Sequence, residues 1–393
     1  MLKNVYLAGG VRTPHGSFGG SLSTVPAAQL GATVIKGTLA AANVSPDDVD
    51  EVYMGNVIGA GLGQNIARQS AIGAGLKPEI GATTINKVCG SAMRAIIIGG
   101  QAIQCDDLDL VVAGGVESMS QAPYLLPKAR TGYRMGNGEL VDAMIHDGLW
   151  DGYNNQHMGS CGDLCCEKYN ITREEQDTFA LESYRRAMEG WDKGHFKDVV
   201  VPVEVKSRKG AVVVDKDEDL GKFNAEKLVK LPPAFGKDSR ITAGNASNID
   251  DGASAVVVVG EERMKQLGIK PMARILGHAN AATEPEWFTV APVHAIKKLS
   301  EKLSLKLADV DLFEINEAFS VVTMVAMREL ELPHEKVNIC GGAVAIGHPI
   351  GSTGARIVIE LMHSLRRTGG KLGIACLCIG GGEASAVAIE ACA

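Results

Sequence analysis

Four short blocks of this 393-residue chain carry a reactive or hydrogen-bonding side chain, three of them close to glycine. In Lys87-Val88-Cys89-Gly90-Ser91 a β-branched strand is expected to run into Cys89, with an apolar helix following at once. A cysteine at a helix N-terminus feels the positive end of the helix dipole, which lowers its pKa and favours the nucleophilic thiolate. Gly90 would leave room for a substrate beside the backbone, and an inert core thiol accounts for Cys89 about as well. In Gly347-His348-Pro349-Ile350-Gly351, Pro349 fits the first position of a helix, which sets His348 at or just before the N-cap. A neutral imidazole there can act as a general base, against the alternative of a satisfied structural histidine. In Cys376-Leu377-Cys378-Ile379-Gly380-Gly381-Gly382 the two thiols share one side of a strand unless it bulges near the glycines. The bare N–H groups of that glycine turn suit an oxyanion. A redox pair or a phosphate cradle are the alternatives, and no C-x-x-C or Walker pattern supports them. In Glu314-Ile315-Asn316-Glu317-Ala318-Phe319, Asn316 is expected to end a strand and cap the next helix, a role that alone would explain it. Its amide can also donate to a substrate. Two thiols, an imidazole and an amide suit acyl transfer through a thioester, one thiol carrying the acyl group and the other moving a proton. Cys161, Cys165 and Cys166 lack zinc-ligand spacing, and Cys105, Cys340 and Cys392 have no partner pattern.

Such groups need strands and helices to hold them. Asn4–Leu7, Glu51–Met54, Thr83–Val88, Leu110–Ala113, Leu312–Ile315 and Leu372–Ile379 are short apolar runs closed by Gly or Asn and read as strands. Ser91–Gln104 and Ala355–Leu365 have helix length, and the alternation implies a layered α/β fold. There is also an internal repeat. Asp48-Val49-Asp50 and Asp309-Val310-Asp311, 261 residues apart, each introduce a strand. Gly114-Gly115-Val116-Glu117 and Gly380-Gly381-Gly382-Glu383, 266 apart, each read as closing one, so two copies of one α/β unit are expected. Between the copies, Gln121 to about Asp250 is more polar, with Pro202, Pro232 and Pro233, a helix at Arg173–Trp191, and charge runs at Lys206–Lys209 and Lys216–Asp219. A long excursion of this kind usually binds substrate or joins subunits, and the charge runs read as solvated surface.

Composition narrows the function classes. Acidic residues outnumber basic ones, 46 to 39, with no basic stripe, which argues against a nucleic-acid binder. With 46% apolar and 22% charged residues, wholesale disorder is excluded. The longest uncharged stretch, Val337–Ala355, holds five glycines, His348 and Pro349 and cannot be a membrane span. The first residues carry no signal- or transit-peptide pattern, and nine scattered cysteines fit a reducing compartment. A cytoplasmic enzyme is expected, with a processed mitochondrial one as the alternative. Glycine, 47 residues, is enriched in blocks, as though backbone were packed closely around something.

Val88-Cys89-Gly90-Ser91, Asn316-Glu317-Ala318-Phe319, Gly347-His348-Pro349-Ile350-Gly351 and Cys378-Ile379-Gly380-Gly381-Gly382, in that order, strongly resemble the thiolases, and within them the acetyl-CoA C-acetyltransferases. The likeness runs from Val11-Arg12-Thr13-Pro14 to the last strand. It implies an αβαβα fold of two repeated halves: 1–120, completed by about 251–272, a loop domain at 121–250 for CoA binding and tetramerisation, and 273–393. It implies a reversible ping-pong Claisen condensation of two acetyl-CoA to acetoacetyl-CoA and CoA. Cys89 would carry the acetyl group, His348 would activate it, and Asn316 would hold a water that forms an oxyanion hole with His348. Cys378 would be the acid/base, and the N–H groups of Cys89 and Gly380 would form the second oxyanion hole. Leu149, His157, Met158, Phe235, Ala246, Ser247, Ala318 and Phe319 match positions along the CoA channel. Lys222 stands near the place of an arginine that meets the adenosine phosphate, with shorter local spacing.

Tyr184 and Trp287-Phe288-Thr289-Val290-Ala291-Pro292 resemble a potassium-activated subtype, whose ion would by position meet Tyr184, Ala243, Gly244, Ala246 and Val344. No other cofactor is implied beyond CoA as substrate. Gln121–Val141, with Tyr124 and Arg134–Asn137, resembles the element that joins two dimers into a homotetramer. His157-Met158 is typical of short-chain members; a longer-chain 3-ketoacyl-CoA thiolase, a non-catalytic acyl-CoA carrier and a redox protein are the rival readings.

Overall fold

A computed structural model describes residues 3–207 and 210–392, so Arg208 and Lys209 of the charge run at 206–209, and the first two residues of the N-terminal segment, lie outside the described residues. Nine strands carry the fold: β1 (Val5–Arg12), β2 (Glu51–Gly55), β3 (Gly81–Ile85), β4 (Leu110–Ser118), β5 (Asp250–Gly260), β6 (Ala273–Ala282), β7 (Leu312–Ile315), β8 (Leu372–Ile379) and β9 (Glu383–Ala391). With the two-residue Gly16–Ser17, paired to β5, they form a ten-stranded mixed sheet in the order β7-β8-β9-β6-β1-β5-β4-β2-β3. Every residue of β4 and β5 is buried, and their Val- and Ala-rich sequences are what a sheet covered on both faces demands.

The covering helices are α1 (Ala27–Ala42) and α2 (Ile66–Gly73) outside the first half, and α6 (Ala291–Leu303) and α7 (Ser320–Glu329) outside the second. Between the halves α3 (Ser91–Gln104) packs on α8 (Thr353–Thr368). Side-chain alternation separates the layers: on β8, Ala375, Leu377 and Ile379 join the central cluster with Ile96 and Val358. Ile374, Cys376 and Cys378 join the outer cluster with Ile296 and Val322. The result is helix, sheet, helix pair, sheet, helix. From the middle excursion come α4 (Met158–Lys168) and α5 (Arg173–Asp192), the latter opened by a Thr172/Glu175 capping box.

The repeat is real at its first pair. The Asp50 carboxylate accepts the N–H groups of Asp109 and Leu110 at 2.8 Å each, and Asp311 accepts those of Lys371 and Leu372 at 2.8 and 2.9 Å. The second pair is not an equivalence. Met54 aligns with Gly114 and Ile315 with Cys376, which makes Cys376, not Gly380, the counterpart of Gly114. Gly114–Glu117 lies inside β4, whereas Gly380–Gly382 turns the chain from β8 to β9. A Cβ on Gly115 would sit 2.0 Å from the Gly351 carbonyl, so that glycine admits the protein's own backbone, not a ligand. Among the described residues the second half has no full counterpart of β3, only a parallel bridge between Phe313 and Val337.

Candidate active site

The strand expected to lead into Cys89 stops at Ile85. Asn86–Gly90 is a tight turn with Val88 at φ 47°, a strained setting for a β-branched residue. Ser91 holds the turn by donating from Oγ to Val88 O at 2.6 Å and accepting from Lys87 N–H at 2.9 Å, while Lys87 ion-pairs with Glu383 at the start of β9. Gly90 does not make room for substrate: a Cβ there would lie 2.5 Å from Ile379 Cδ1. The thiol pKa is not lowered either. The backbone N–H groups of Gly380 and Cys89 both point at Sγ, yet burial outweighs them and pushes the thiol up to about 11. A thiolate at neutral pH therefore needs a base to take its proton.

His348 is suited to be that base, though Pro349 does not open a helix. Thr353 begins α8, and Pro349 instead accepts the N–H groups of Ser352 and Thr353 at 2.9 and 3.1 Å. Thr353 Oγ1 donates to Pro349 O at 3.1 Å, which leaves it to accept from His348 Nδ1 at 2.7 Å. That pattern puts the proton on Nδ1 and a lone pair on Nε2. Burial, then the charges of Arg356 and His15, lower the imidazole to about 3, so it is neutral wherever the enzyme would work.

Asn316 caps no helix; α7 begins at Ser320. Its Oδ1 accepts from Arg356 Nη2 at 3.0 Å and its Nδ2 faces His348 Nε2 at 3.4 Å, at the outer limit of a hydrogen bond. Cys376 and Cys378 do share a face, without a bulge, but differ in surroundings. Among the described residues Cys376 Sγ has one hydrogen-bond partner, Pro292 O at 3.9 Å, and it is a core thiol. Burial raises the Cys378 thiol well above the ordinary range, and a charge on Cys89 would raise it further.

A cavity of about 380 Å³ leads to His348. Leu149, His157, Phe235, Ala243, Ala246, Ser247 and Phe319 line it, with Met119, Asn248, Ile249 and Ile350. Cys89 packs against the same apolar cluster as Leu149 and Ile249, and Ile350 of that cluster lines the cavity. His157 stacks on Phe235 at 4.5 Å, and Phe235 meets Phe319 edge-on at 6.4 Å, making one side flat and apolar. Three expected members stand off the wall. Met158 is buried behind Gly380, and the Ala318 carbonyl accepts Ser247 N–H at 3.1 Å from the layer behind. Lys222 ion-pairs with Glu218 at 2.8 Å and does not line the cavity.

Of the oxygens expected at a potassium site, Tyr184 Oη and Val344 O both accept from Asn248 Nδ2, at 3.1 and 3.3 Å. Among the described residues no backbone N–H donates to the carbonyls of Ala243, Gly244 or Ala246. Neutral oxygens that converge in one pair and stay free in the other three fit a large monovalent cation in donor chemistry. Burial raises the Tyr184 hydroxyl to about 12, so it would serve as a neutral ligand.

Two supporting residues escaped the sequence reading. Glu117 is buried in β4 and accepts from Gly351 N–H at 2.9 Å, Val57 N–H at 3.0 Å and Asn56 Nδ2 at 2.8 Å, anchoring the turn after His348. Arg356 is the other; its signal was an Arg–Glu pair four residues apart inside the otherwise apolar stretch Ala355–Met362. The run Lys216–Asp219 is not solvated surface, because Asp217 is fully buried against Arg12.

Residues 5–262 match the family model "Thiolase, N-terminal domain" and residues 269–391 match "Thiolase, C-terminal domain". The chain is 50% identical over 391 residues to acetyl-CoA acetyltransferase 2 of Arabidopsis thaliana, covering 99% of this chain and 97% of that one. It resembles the crystal structure of Acat5 thiolase from Ascaris suum in complex with coenzyme A, with a TM-score of 0.94 and 44% identity over 99% of this chain and 100% of that one. It likewise resembles the acetyl-CoA acetyltransferase of Bacillus anthracis, with a TM-score of 0.97 and 42% identity over 100% and 99% of the two chains.

Proposed function

The chain belongs to the thiolase family, and from that premise we propose that it is an acyltransferase interconverting two acetyl-CoA with acetoacetyl-CoA and CoA through an acetyl-Cys89 intermediate. What carries this reading is that separate segments of both halves pair Cys378 with Cys89 and Asn316 with His348, while His348 ends one apolar cavity and Cys89 packs against an apolar cluster that lines it. His348 Nε2 takes the Cys89 proton, and Sγ attacks the acetyl thioester. The proton returns to the departing CoA sulfur. The N–H groups of Cys89 and Gly380, already directed at Sγ, lie where the acetyl carbonyl on that sulfur develops charge. Cys378 gives its own proton to His348 Nε2, which then has an N–H to turn toward the enolate oxygen, and Cys378 acts as the base of the second half-reaction. As thiolate it takes a methyl proton from the second acetyl-CoA. The enolate oxygen is held by the His348 Nε2–H and a water on the Asn316 amide; the enolate carbon attacks the acetyl carbonyl and expels the Cys89 sulfur, which takes the proton from Cys378, and His348 returns its own to Cys378.

The test is loss of acetoacetyl-CoA enolate absorbance on addition of CoA. Wild type should consume it, and Cys89→Ala and Cys378→Ala should not. Exchange of labelled CoA into acetyl-CoA should survive in Cys378→Ala and vanish in Cys89→Ala; survival in both would remove Cys89 from the mechanism. The flat His157–Phe235 wall supports short acyl chains, and faster turnover of 3-ketooctanoyl-CoA than of acetoacetyl-CoA would reverse that.

The oxygens of Tyr184, Ala243, Gly244, Ala246 and Val344 support potassium as an activator, an idea that equal rates in sodium and potassium buffers would sink. Tyr124, Leu126, Tyr133, Met135 and Leu140 are exposed on one arm, which supports its use between subunits of a homotetramer. Light scattering of the protein with and without Leu126→Asp and Met135→Asp reads that directly. Nine free thiols support a reducing compartment, the cytoplasm.

A further inference from the structure

Behind the site runs a chain of buried charges that the mechanism above leaves unused. Arg356 is fully buried; Nη2 donates to Asn316 Oδ1 at 3.0 Å and Nη1 to Glu360 Oε2 at 2.8 Å. The other Glu360 oxygen accepts from Arg12 Nε at 3.0 Å, and Arg12 forks onto Asp217 at 2.7 and 2.8 Å. Asp217 also accepts from Trp191 Nε1 at 3.1 Å and from His15 N–H at 2.9 Å. Two guanidiniums and two carboxylates alternate, so each buried charge has an opposite neighbour and the chain is tolerable in an apolar interior.

What the chain does is decided by the atom at its end. A side-chain amide can turn over, exchanging its oxygen and its NH2 at little steric cost. A guanidinium has only donors, so contact with Arg356 admits the Asn316 oxygen and rejects the NH2. The NH2 is thereby turned toward His348 Nε2. Arg356 is itself kept from rotating away by Glu360, which Arg12 and Asp217 hold in turn. We propose that Arg356, braced by Glu360, is a positioning residue that fixes the Asn316 amide in the orientation that donates toward the reacting oxygen. The proposal rests on the acetyl-transfer reading above. A donor locked before the reaction needs no reorganisation as charge develops.

A double-mutant cycle on the full chain tests this, read as kcat and KM for cleavage of acetoacetyl-CoA by CoA. Arg356→Lys keeps the charge and loses the planar fork. It should lower kcat about 100-fold, near the loss of one oxyanion donor, with KM within about threefold. In an Asn316→Ala background the same change should do less than about threefold, because the group it positions is gone. Glu360→Gln keeps the shape of the brace and serves if Arg356→Lys does not fold; it should lower kcat about tenfold and again add nothing to Asn316→Ala. Losses that multiply in either double variant, or a change confined to KM, overturn the proposal, since a purely structural role would act whether or not Asn316 is present. A wild type that leaves acetoacetyl-CoA intact overturns the acetyl-transfer reading, and this inference with it.

Discussion

At Cys89 two opposing effects act on one sulfur: N–H dipoles that favour the anion and burial that disfavours it. Burial wins, so Cys89 rests as a thiol and His348 as a neutral imidazole rather than as an ion pair. Alkylation by iodoacetamide reports this directly, because only the thiolate reacts. The rate at Cys89, followed by mass of its peptide, should rise about tenfold per pH unit from pH 7 to pH 9. A plateau below pH 8 would mean a depressed pKa and restore the helix-dipole expectation. His15 and His348 make a second prediction. Burial lowers both to about 3, with Arg12 adding to the effect at His15 and Arg356 at His348. The unfolded chain binds a proton at each of them below about pH 6.5 and the folded chain does not. Their contribution is therefore fully present above pH 6.5 and is lost as pH falls toward 3, at about 1.4 kcal/mol per pH unit for each group. His15→Gln costs something at every pH by losing the bond to Ile346 O, but it removes one of the two slopes. Between pH 7.5 and pH 5 the variant should lose about 2 kcal/mol less than wild type in urea unfolding; equal losses would show that His15 is charged in the fold.

Elements place these groups, and here the sequence could be read in some places and not in others. Ser91–Gln104, Leu312–Ile315 and Leu372–Ile379 were legible to the residue, because each is a mostly apolar run with turn or polar residues close to its ends. The chemistry-bearing residues were legible as types; the turns that hold them were not. Val88 at φ 47° goes against β-propensity and is kept there by Ser91 and the Lys87–Glu383 pair, contacts 4 and 296 residues away or less, that no local pattern announces. Pro349 reads as a helix opener, but its own carbonyl and the Glu117 carboxylate engage the following N–H groups, and the helix starts later. The turn before His348 gives an element-scale prediction. Gly347 has φ 89°, and a Cβ there would fall 2.2 Å from the Asp250 carboxyl carbon. Gly369, at the C-cap of α8, has φ 73° with nothing within 4 Å. Gly369→Ala should cost about 1 kcal/mol of stability and leave turnover unchanged. Gly347→Ala carries the same backbone penalty plus a clash, and should cost more than about 2 kcal/mol and move His348 enough to lower kcat at least about 100-fold. Thermal melts and acetoacetyl-CoA cleavage on the two variants check both, and equal behaviour would refute the role given to the turn.

On the scale of the whole molecule the two halves are joined unevenly. The sheet crosses from one to the other at β1 and β6 through only Tyr6–Arg274 and Leu7–Ala273. The layer between them is far more substantial: Met93, Ala95 and Ile96 of α3 share one apolar cluster with Ala355, Val358 and Ile359 of α8 and with Val258 and Val387 of opposite sheet halves. Polar contacts cross as well, Glu117 to Gly351 and Arg12 to Glu360. Cys89 comes from the first half and Asn316, His348 and Cys378 from the second, so the site exists only while that layer is intact. A seam held by buried side chains rather than by backbone pairing should give way together with the halves it joins. In a urea titration at fixed protein concentration, cleavage of acetoacetyl-CoA, tryptophan fluorescence and far-UV circular dichroism should therefore be lost at one midpoint. Ile96→Ala, which opens a cavity in the shared cluster, should lower that midpoint by the equivalent of about 2–5 kcal/mol while keeping the three signals coincident. If the variant instead loses activity well before its circular dichroism, the halves part while each remains folded, and the central helix layer is a docking surface between two domains rather than the core of one.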